Sequence, residues 1–297
     1  MNNLCTLTDS SSYLNKGLAL YDSLVRNHDG GEEFVLHYLC IDREAYNKLA
    51  PLKLPHMEVY CAPDIYELTE GYHGYSDHKN DEYTSYQHYC WSLAARFCAW
   101  LVKVWRLPSI MYLDSDLLFY YDIKDVYSEI GASQLGITPH MHNSTDDQVG
   151  AYNVSVIFFG RGGYKALSWW CKCVCNPGNA WARTHGTCGD QKYLDLFESL
   201  FGDVHVITDT IVQGAPWNYR LFDWSPFAMD NRVVAYHGRI VKLGWIHFSH
   251  FEPLFNINHY ESGEKNYGNF LSIAEPIRHL YNEYLQRLKE AKDAYGL

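Results

Sequence analysis

The sequence has little positive charge. It contains 24 lysines and arginines against 35 aspartates and glutamates, which gives a formal net charge of −11 at pH 7 and a pI near 5.7. Binding to nucleic acid depends on basic surface that neutralises phosphates. The composition therefore argues against nucleic acid as the main partner.

Long apolar runs and internal repeats are also missing from the sequence, and we expect no signal peptide. No run approaches the roughly 20 apolar residues that a membrane-spanning helix needs, and the N-terminus enters a predicted strand directly. The nine cysteines among 297 residues are an odd number, which favours free thiols in a reducing compartment over a disulfide framework. We expect a cytoplasmic protein without a transmembrane segment.

Short apolar runs alternate with segments in which apolar residues follow helical spacing. The predicted strands are Leu4–Thr8, Phe34–Ile41, Met57–Ala62, Ile110–Leu113, Gln134–Pro139, Asn153–Gly160, Val204–Thr208 and Arg232–Tyr236. The predicted helices are Tyr13–His28, Tyr86–Trp105, Tyr164–Cys175, Lys192–Phe201 and Leu271–Leu297. This order predicts an α/β fold with a mostly parallel central sheet flanked by helices, and ligand sites at the carboxyl ends of its strands.

Two aspartates follow the predicted strand Ile110–Leu113. Asp114 and Asp116 are two residues apart, and because side chains alternate along an extended segment, both carboxylates point the same way. Two like charges at the end of an apolar run are costly unless a cation lies between them, and hard divalent cations prefer oxygen ligands. The pair therefore indicates a metal site, although a solvated turn would give the same short pattern.

Two further segments allow more than one interpretation. Tyr66–Tyr83 is polar, punctuated by glycines and rich in Tyr and His, which predicts a long loop that is either a lid or an ordered surface excursion. Cys171, Cys173 and Cys175 alternate in a predicted helix, with Cys188 beyond it. Alternate positions diverge on a helix and the spacing matches no common zinc site, so buried thiols are the better interpretation.

Six motifs together resemble one known family. They are TLTDSSSYL (6–14), YLDSDLLFY (112–120), YNVSVIFFG (152–160), CGDQKYL (188–194), PWNYR (216–220) and WIHFSHFEP (245–253). In this order, over roughly residues 4 to 255, they resemble the family 8 glycosyltransferases of the glycogenin and lipopolysaccharide galactosyltransferase type. The resemblance implies the GT-A fold, the Rossmann-like fold of nucleotide-diphospho-sugar transferases.

The resemblance also implies a metal site and a donor site. Asp114, Asp116 and His247 would bind Mn²⁺, or Mg²⁺, and the ion would bridge to the diphosphate of a UDP-sugar. His237 is an alternative ligand in a shifted register, and His247 is favoured because its motif matches better. The implied donor-binding residues are Thr8, Asp9, Tyr13, Arg96, Asp114, Ser115, Asn153 and His250.

Within that donor site, the resemblance assigns individual roles. Asp9 would bond the uracil edge and Tyr13 would stack on the base, although this loop is one residue longer than in the family. Asn153 would lie near the sugar. Asp190 and Gln191 would lie beside the donor hexose as the catalytic residues.

One position departs from the family pattern. Many relatives have a lysine where this chain has Glu252, and that lysine neutralises the leaving diphosphate. A glutamate would repel the diphosphate, so the compensating charge has to come from another residue, and His250, Arg239 and Lys265 are the candidates. The same departure is compatible with a sugar- or nucleotide-binding module that has lost catalysis.

The predicted function is metal-dependent transfer of a sugar from a UDP-sugar to a glycan or other hydroxyl acceptor, with retention through front-face displacement. Gln191 or Asp190 would support the oxocarbenium-like centre. An inverting transferase with Asp190 as base is the alternative enzyme. A sugar-nucleotide pyrophosphorylase ranks below both, because no glycine-rich, basic triphosphate loop lies near the N-terminus.

The predicted organisation is a catalytic domain followed by a short extension. The catalytic domain covers residues 1–265, with a nucleotide-binding half at about 1–120 and an acceptor half at about 121–265. Residues 266–297 form a C-terminal helical extension.

Overall fold

The computed structural model of the protein describes residues 1–69, 86–142, 149–175 and 189–296. Its strands are β1 (Asn2–Thr8), β2 (Phe34–Cys40), β3 (Met57–Cys61), β4 (Ser109–Leu113), β5 (Leu117–Phe119), β6 (Leu135–Pro139), β7 (Tyr152–Gly160), β8 (Val204–Val206), β9 (Ile211–Gly214), β10 (Val233–Tyr236), β11 (Arg239–His247), β12 (Glu252–Leu254) and β13 (His259–Glu261). Its α-helices are α1 (Ser12–Asn27), α2 (Arg43–Leu49), α3 (Tyr66–Thr69), α4 (Tyr86–Trp105), α5 (Ile123–Ile130), α6 (Tyr164–Val174), α7 (Phe197–Phe201), α8 (Glu264–Tyr267) and α9 (Glu275–Tyr295).

Seven strands form the central sheet, in the order β3-β2-β1-β4-β7-β6-β8. The first four are parallel neighbours, and β7 lies antiparallel to both β4 and β6. The prediction of a mostly parallel sheet flanked by helices is therefore confirmed. The antiparallel insertion of β7 was not predicted, because the direction of a buried strand leaves no trace in its apolar pattern.

Helix α1 follows β1 directly and is buried nearly all round in its first half. The sheet covers one side of the helix and α9 covers another, where Asn15 Nδ2 donates a hydrogen bond to the backbone oxygen of Leu288 at 3.0 Å. Gly17 allows the close approach to the sheet, because a Cβ at this position would lie 2.1 Å from the hydroxyl oxygen of Tyr38. The N-terminus of α1 is thereby fixed at the carboxyl end of β1.

A smaller sheet contains β10, β11 and β5, with β9 parallel to β11 on the other side. Strand β5 follows β4 after only three residues, so Asp114 and Asp116 lie where the two sheets meet. At the same place β11 ends with His247, which is paired with Leu117 of β5. Residues far apart in the sequence therefore converge at one edge of the central sheet.

Helix α9 packs into the core through Ile277, Leu280, Tyr281, Tyr284, Leu285, Leu288 and Ala291. It begins at Glu275 rather than at the predicted Leu271, because Pro276 lacks an N–H and fits only the first turn of a helix.

The predicted helix Lys192–Phe201 also differs from the structure. Its first five residues form a 3₁₀ segment, which often precedes an α-helix, and only α7 is α-helical. The division into domains at residue 265 stays a prediction.

Parts of two predictions lie outside the described residues. Tyr66–Thr69 forms α3, and the remainder of the predicted loop up to Tyr83 is not described, so the lid stays a prediction. Cys188 is also outside, while the cysteines that are described all have free thiols. Within the described ranges, no helix is long and apolar enough to cross a membrane.

Candidate active site

A cavity of about 1120 Å³ opens at the carboxyl ends of β1 and β4. This edge is where ligand sites of open α/β sheets lie. The residues of the described lining that were predicted from the sequence are Thr8, Asp9, Tyr13, Asp114, Ser115, Asp116, Asn153, Asp190, Gln191, His247 and His250. The structure therefore brings nearly the whole predicted site into one cavity.

Asp114, Asp116 and His247 form one part of this lining, the carboxylate wall. Backbone hydrogen bonds fix its position: Asp114 N donates to Ser155 O at 2.9 Å, and Phe248 N donates to Asp116 O at 3.0 Å. These bonds continue the β4–β7 and β5–β11 pairings beyond the ends of the strands. The imidazole Nε2 of His247 consequently lies 3.2 Å from Asp116 Oδ1 and 3.9 Å from Asp114 Oδ2.

The groups of the carboxylate wall shift one another's pKa. Burial raises the pKa of Asp114 to about 6; the Asp116 charge adds to this and His247 opposes it. Burial acts upward on the pKa of Asp116, but the nearby His247 outweighs it and lowers that pKa. Burial acts downward on the pKa of His247, but Asp116 outweighs it and raises that pKa. A metal ion binds such groups in their deprotonated forms.

The donor atoms of the carboxylate wall fit a divalent metal ion. One ligand atom from each of its three residues lies within 4.8 Å of the other two. Two carboxylates and an imidazole are a donor set that suits Mn²⁺, and Mg²⁺ is compatible with the oxygens. His28, Asp29 and Asp122 meet the same distance limit. There, however, the ammonium group of Lys124 already pairs with Asp29.

His140, Asn153, Asp190 and Gln191 form a second part of the lining, the amide wall. Nδ2 of Asn153 lies 3.3 Å from His140 Nε2 and 3.3 Å from Gln191 Oε1. Nδ1 of His140 lies 2.9 Å from the backbone oxygen of Gly150 and can donate to it. Burial lowers the pKa of His140 to about 4, so the ring is neutral at pH 7 and its Nε2 accepts from Asn153.

Asp190 is a buried carboxyl group within the amide wall, with 4% of its surface exposed. Its backbone oxygen accepts a hydrogen bond from Trp170 Nε1 at 2.9 Å, which ties this turn to α6. Burial, and then repulsion from the charge of Asp114, raise the pKa of Asp190 well above its usual value. The environment therefore favours the protonated form of Asp190.

Thr8 at the end of β1, Asp9 in the following loop and Tyr13 in the first turn of α1 lie at one end of the cavity. Thr8 is turned into the fold, where its hydroxyl donates to the hydroxyl of Tyr38 at 3.0 Å. Asp9 accepts a hydrogen bond from the hydroxyl of Tyr86 at 3.1 Å. Tyr13 is 40% exposed and borders the cavity, as does Tyr86, so aromatic rings and one carboxylate group lie at this end.

Glu252 is not among the described residues that line the cavity. Its Oε1 lies 3.2 Å from the ammonium group of Lys16, and its Oε2 accepts a hydrogen bond from the hydroxyl of Ser12 at 3.3 Å. Both partners belong to the first two turns of α1. The carboxylate of Glu252 is thus engaged by α1.

The three candidates for the compensating charge lie in different places. His250 lines the cavity, with a φ of 57° and its ring centre 5.6 Å from that of Tyr267. Arg239 forms an exposed ion pair with Asp209, and Lys265 forms one with Glu261. Of the three, only His250 belongs to the described lining.

Two other predicted residues lie apart from the carboxylate wall. Arg96 is buried in α4, where its Nη2 donates to the backbone oxygen of Glu67 at 2.9 Å, and the described lining does not include it. The structure does not bring Arg96 together with the other donor residues. His237 is in the turn between β10 and β11, with a φ of 49°, and does not join the two aspartates. This position favours His247 as the ligand.

Several residues at or behind the surface of the cavity were not predicted from the sequence, among them Tyr112, His140, Trp217 and Lys16. Tyr112 donates its hydroxyl to Asp114 Oδ1 at 2.9 Å, and Trp217 donates Nε1 to the backbone oxygen of His140 at 2.9 Å. His140 follows β6 directly, which is a signal that could have been used, and Trp217 is part of PWNYR. No sequence pattern distinguishes Lys16 from an exposed lysine, because only the packing of α1 shows that it is buried.

The fold is one that glycosyltransferases share: the chain has the GT-A architecture. The galactosyltransferase LgtC, solved with donor and acceptor sugar analogues, aligns with a TM-score of 0.56 and 14% identity over 92% of this chain and 95% of that one. Mouse xyloside xylosyltransferase 1 aligns with a TM-score of 0.52 and 15% identity over 84% of this chain and 98% of that one. At these identities the likeness shows the fold.

Two proteins that are similar to this chain in sequence are described as uncharacterized. No model of a known protein family matches the chain. The uncharacterized protein YfnD of Bacillus subtilis is 24% identical over 276 residues, which cover 88% of this chain and 82% of YfnD. YfnF of the same organism, also uncharacterized, is 28% identical over 266 residues, which cover 82% of this chain and 80% of YfnF.

Proposed function

We propose that the protein is a metal-dependent glycosyltransferase that moves a sugar from a UDP-sugar to a hydroxyl group of a glycan or other acceptor, with retention. The observation that carries this proposal is the presence of the carboxylate wall and the amide wall in one cavity of a GT-A fold. The cavity volume exceeds the roughly 300–1,000 Å³ of common small-molecule pockets, which leaves room for a donor and part of an acceptor.

Asp114, Asp116 and His247 would hold Mn²⁺ or Mg²⁺. When bound, the ion supplies Lewis-acid stabilisation of the charge that develops on a leaving diphosphate. The residues contribute by their position: backbone pairing between strands fixes all three, and the hydroxyl of Tyr112 orients one carboxylate of the wall. Ligands held in this way need little rearrangement when the ion binds.

The nucleoside would lie at the end of the cavity formed by the β1–α1 loop. The exposed ring of Tyr13 suits stacking on a base, and the carboxylate of Asp9 can accept a hydrogen bond from the N3–H of uracil. In that orientation the diphosphate would lie beside the carboxylate wall and the sugar beside the amide wall.

The chemistry of the amide wall supports retention. A protonated Asp190 cannot act as the general base that an inverting enzyme needs, and its burial favours protonation. Gln191 offers a neutral amide beside the position of the sugar, where it can support an oxocarbenium-like centre without carrying charge. A solved variant of LgtC, described as an active-site mutant, replaces a glutamine with glutamate, so a glutamine belongs to the active site of that enzyme.

The test is incubation of the protein with a panel of UDP-sugars, with Mn²⁺, Mg²⁺ or EDTA, while release of UDP is measured. We expect release from at least one donor, dependent on the metal, and NMR of the product made with an acceptor should show the anomeric configuration of the donor. Inversion would support the alternative enzyme. UDP binding without turnover across the panel would favour a binding module, and no binding at all would refute the proposal.

A further inference from the structure

Positive charge is scarce on the surface of the cavity. Asp9, Asp114, Asp116 and Asp190 line it, and the described lining contains no lysine or arginine. A diphosphate would add more negative charge, and a divalent ion offsets only part of the total. Binding of the proposed donor therefore calls for a permanent cation close behind the surface.

Lys16 is a cation in that position. It is in the second turn of α1, and its side chain is fully buried, with 0% of its surface exposed. Its ammonium nitrogen lies 4.3 Å from the ring centre of Tyr13, which borders the cavity. Its charge also acts on Asp116 and His247 of the carboxylate wall. Lys16 thus adjoins both the proposed base-binding end and the metal-binding wall.

The partner of Lys16 explains how the charge is kept in the fold. A buried ammonium group without a counter-charge is strongly destabilising, and Glu252 provides the counter-charge at 3.2 Å. The side chain of Glu252 is 49% exposed, so water screens the carboxylate more than the buried ammonium group. The charge of Lys16 acts on Asp116 and His247, whereas that of Glu252 acts on Tyr13, so the pair presents its positive member towards the carboxylate wall.

We infer that Lys16 supplies the positive charge that offsets the diphosphate of the donor, and that Glu252 anchors its ammonium group. The inference rests on the proposed function, because it assumes a nucleoside diphosphate in the cavity. It gives Glu252 a role opposite to repulsion of the phosphates, since its carboxylate faces Lys16. Lys16 is a positioning residue that acts by its charge through the wall of the cavity.

A purely structural role of Lys16 would have a different signature. If Lys16 only supported the ring of Tyr13, its loss would weaken binding of the base, and uridine would be affected as much as UDP. If its charge serves the diphosphate, only ligands that carry phosphates are affected. Comparison of UDP with uridine therefore separates the two roles.

The experiment is calorimetric titration of wild type and Lys16→Met with UDP and, by displacement, with uridine, both in Mn²⁺. We expect the Kd for UDP to rise about tenfold in Lys16→Met and the Kd for uridine to change less than twofold. Lys242→Met is the matched control, because Lys242 is also paired with a carboxylate (Asp125, 2.7 Å) and lies over an aromatic ring (Tyr121, 4.9 Å), outside the described lining. The control should bind both ligands as wild type does.

A second variant keeps the inference testable if Lys16→Met is poorly folded. Lys16→Met/Glu252→Lys moves the ammonium group to the other member of the pair, and we expect its Kd for UDP to return to within about threefold of wild type. Equal losses for uridine and UDP, or an unchanged Kd for UDP, would overturn the inference alone. So would a double variant that binds UDP no better than Lys16→Met. A wild-type protein that binds no UDP would refute the proposed function as well.

Discussion

The two walls of the cavity are held in place by different kinds of bond. Backbone hydrogen bonds at the ends of paired strands fix Asp114, Asp116 and His247. In the amide wall, Asn153 is joined to its neighbours through side-chain hydrogen bonds, and Asp190 and Gln191 lie in a turn outside any strand or α-helix. The carboxylate wall cannot shift without loss of strand pairing, whereas Asp190 and Gln191 of the amide wall can adjust. Substitutions should therefore have all-or-none effects in the first wall and graded, coupled effects in the second.

The largest expected effect is that of Asp116→Ala in the carboxylate wall. Loss of a ligand removes several kcal/mol of charge stabilisation, so we expect metal-dependent UDP release to fall about a thousandfold. The variant should still fold, but at a lower melting temperature, because the buried His247 loses a carboxylate partner at 3.2 Å. The control Asp125→Ala removes a carboxylate that pairs with Lys242 instead, and should keep its activity. Retention of more than a tenth of the activity by Asp116→Ala would contradict the metal site.

Gln191→Ala should have a smaller effect, a loss of about a hundredfold in kcat, which is typical of removing one group that stabilises a transition state. Because Gln191 shares a hydrogen bond with Asn153, the double variant Gln191→Ala/Asn153→Ala should lose much less than the product of the two single losses. Gln134→Ala is the control, since Gln134 directly precedes β6, at the opposite end of that strand from His140, and the described lining does not include it. If the loss of kcat in the double variant equals the product of the two single losses, Gln191 and Asn153 act independently.

The affinity for the metal should depend on pH through the carboxylate wall. Both Asp114, with a pKa of about 6, and His247, with a raised pKa, must lose their protons before the ion binds. The affinity for Mn²⁺ should therefore rise with pH up to the pKa of His247, and below about pH 6 it should fall at least tenfold per pH unit. Titrations between pH 5.5 and 8 in buffers of different ionisation enthalpy would measure the protons released. Binding that is independent of pH would place the metal elsewhere.

The smallest expected effect is on stability, in the amide wall. Because the folded pKa of Asp190 lies above the unfolded value, the folded state holds its proton more tightly, and stability falls as pH rises between the two values. Asp190→Asn removes this penalty and should stabilise the protein by on the order of 1 kcal/mol at pH 8, with little gain at pH 4.

Thermal melts at pH 4 and pH 8 would measure the gain. Asp195→Asn is the control, because Asp195 pairs with Lys192 and should lose rather than gain stability. An equal gain at both values of pH would show that charge is not the cause.

The same difference between the walls decides what the sequence could predict. Asp114 and Asp116 follow a strand with a regular side-chain alternation, so the direction of both carboxylates could be predicted from spacing alone. The role of His140 depends on a β6–β7 pairing whose register shifts between Ile137 and Thr138, and a shift of this kind is set by tertiary contacts. The burial of Lys16 beside the cavity could not be predicted from the sequence, because it depends on the elements that pack around α1. Local rules predicted the central sheet and the two aspartates, the family resemblance added His247, and long-range packing determined the rest.

The position of α9 has a consequence for how the site is made during synthesis. Tyr284 of α9 stacks on Phe248, next to His247, with ring centres 3.8 Å apart, and Leu288 accepts the hydrogen bond from Asn15 beside Lys16. The stacking on Phe248 and the hydrogen bond to Asn15 can therefore form only after the residues of α9 have been synthesised. At about 5–20 residues per second, a ribosome needs on the order of tens of seconds to pass from Lys16 to Leu288. During that time the nascent chain contains the acidic residues of the cavity without the contacts to α9. We therefore expect nucleotide to protect the nascent chain from protease only after α9 has left the ribosome.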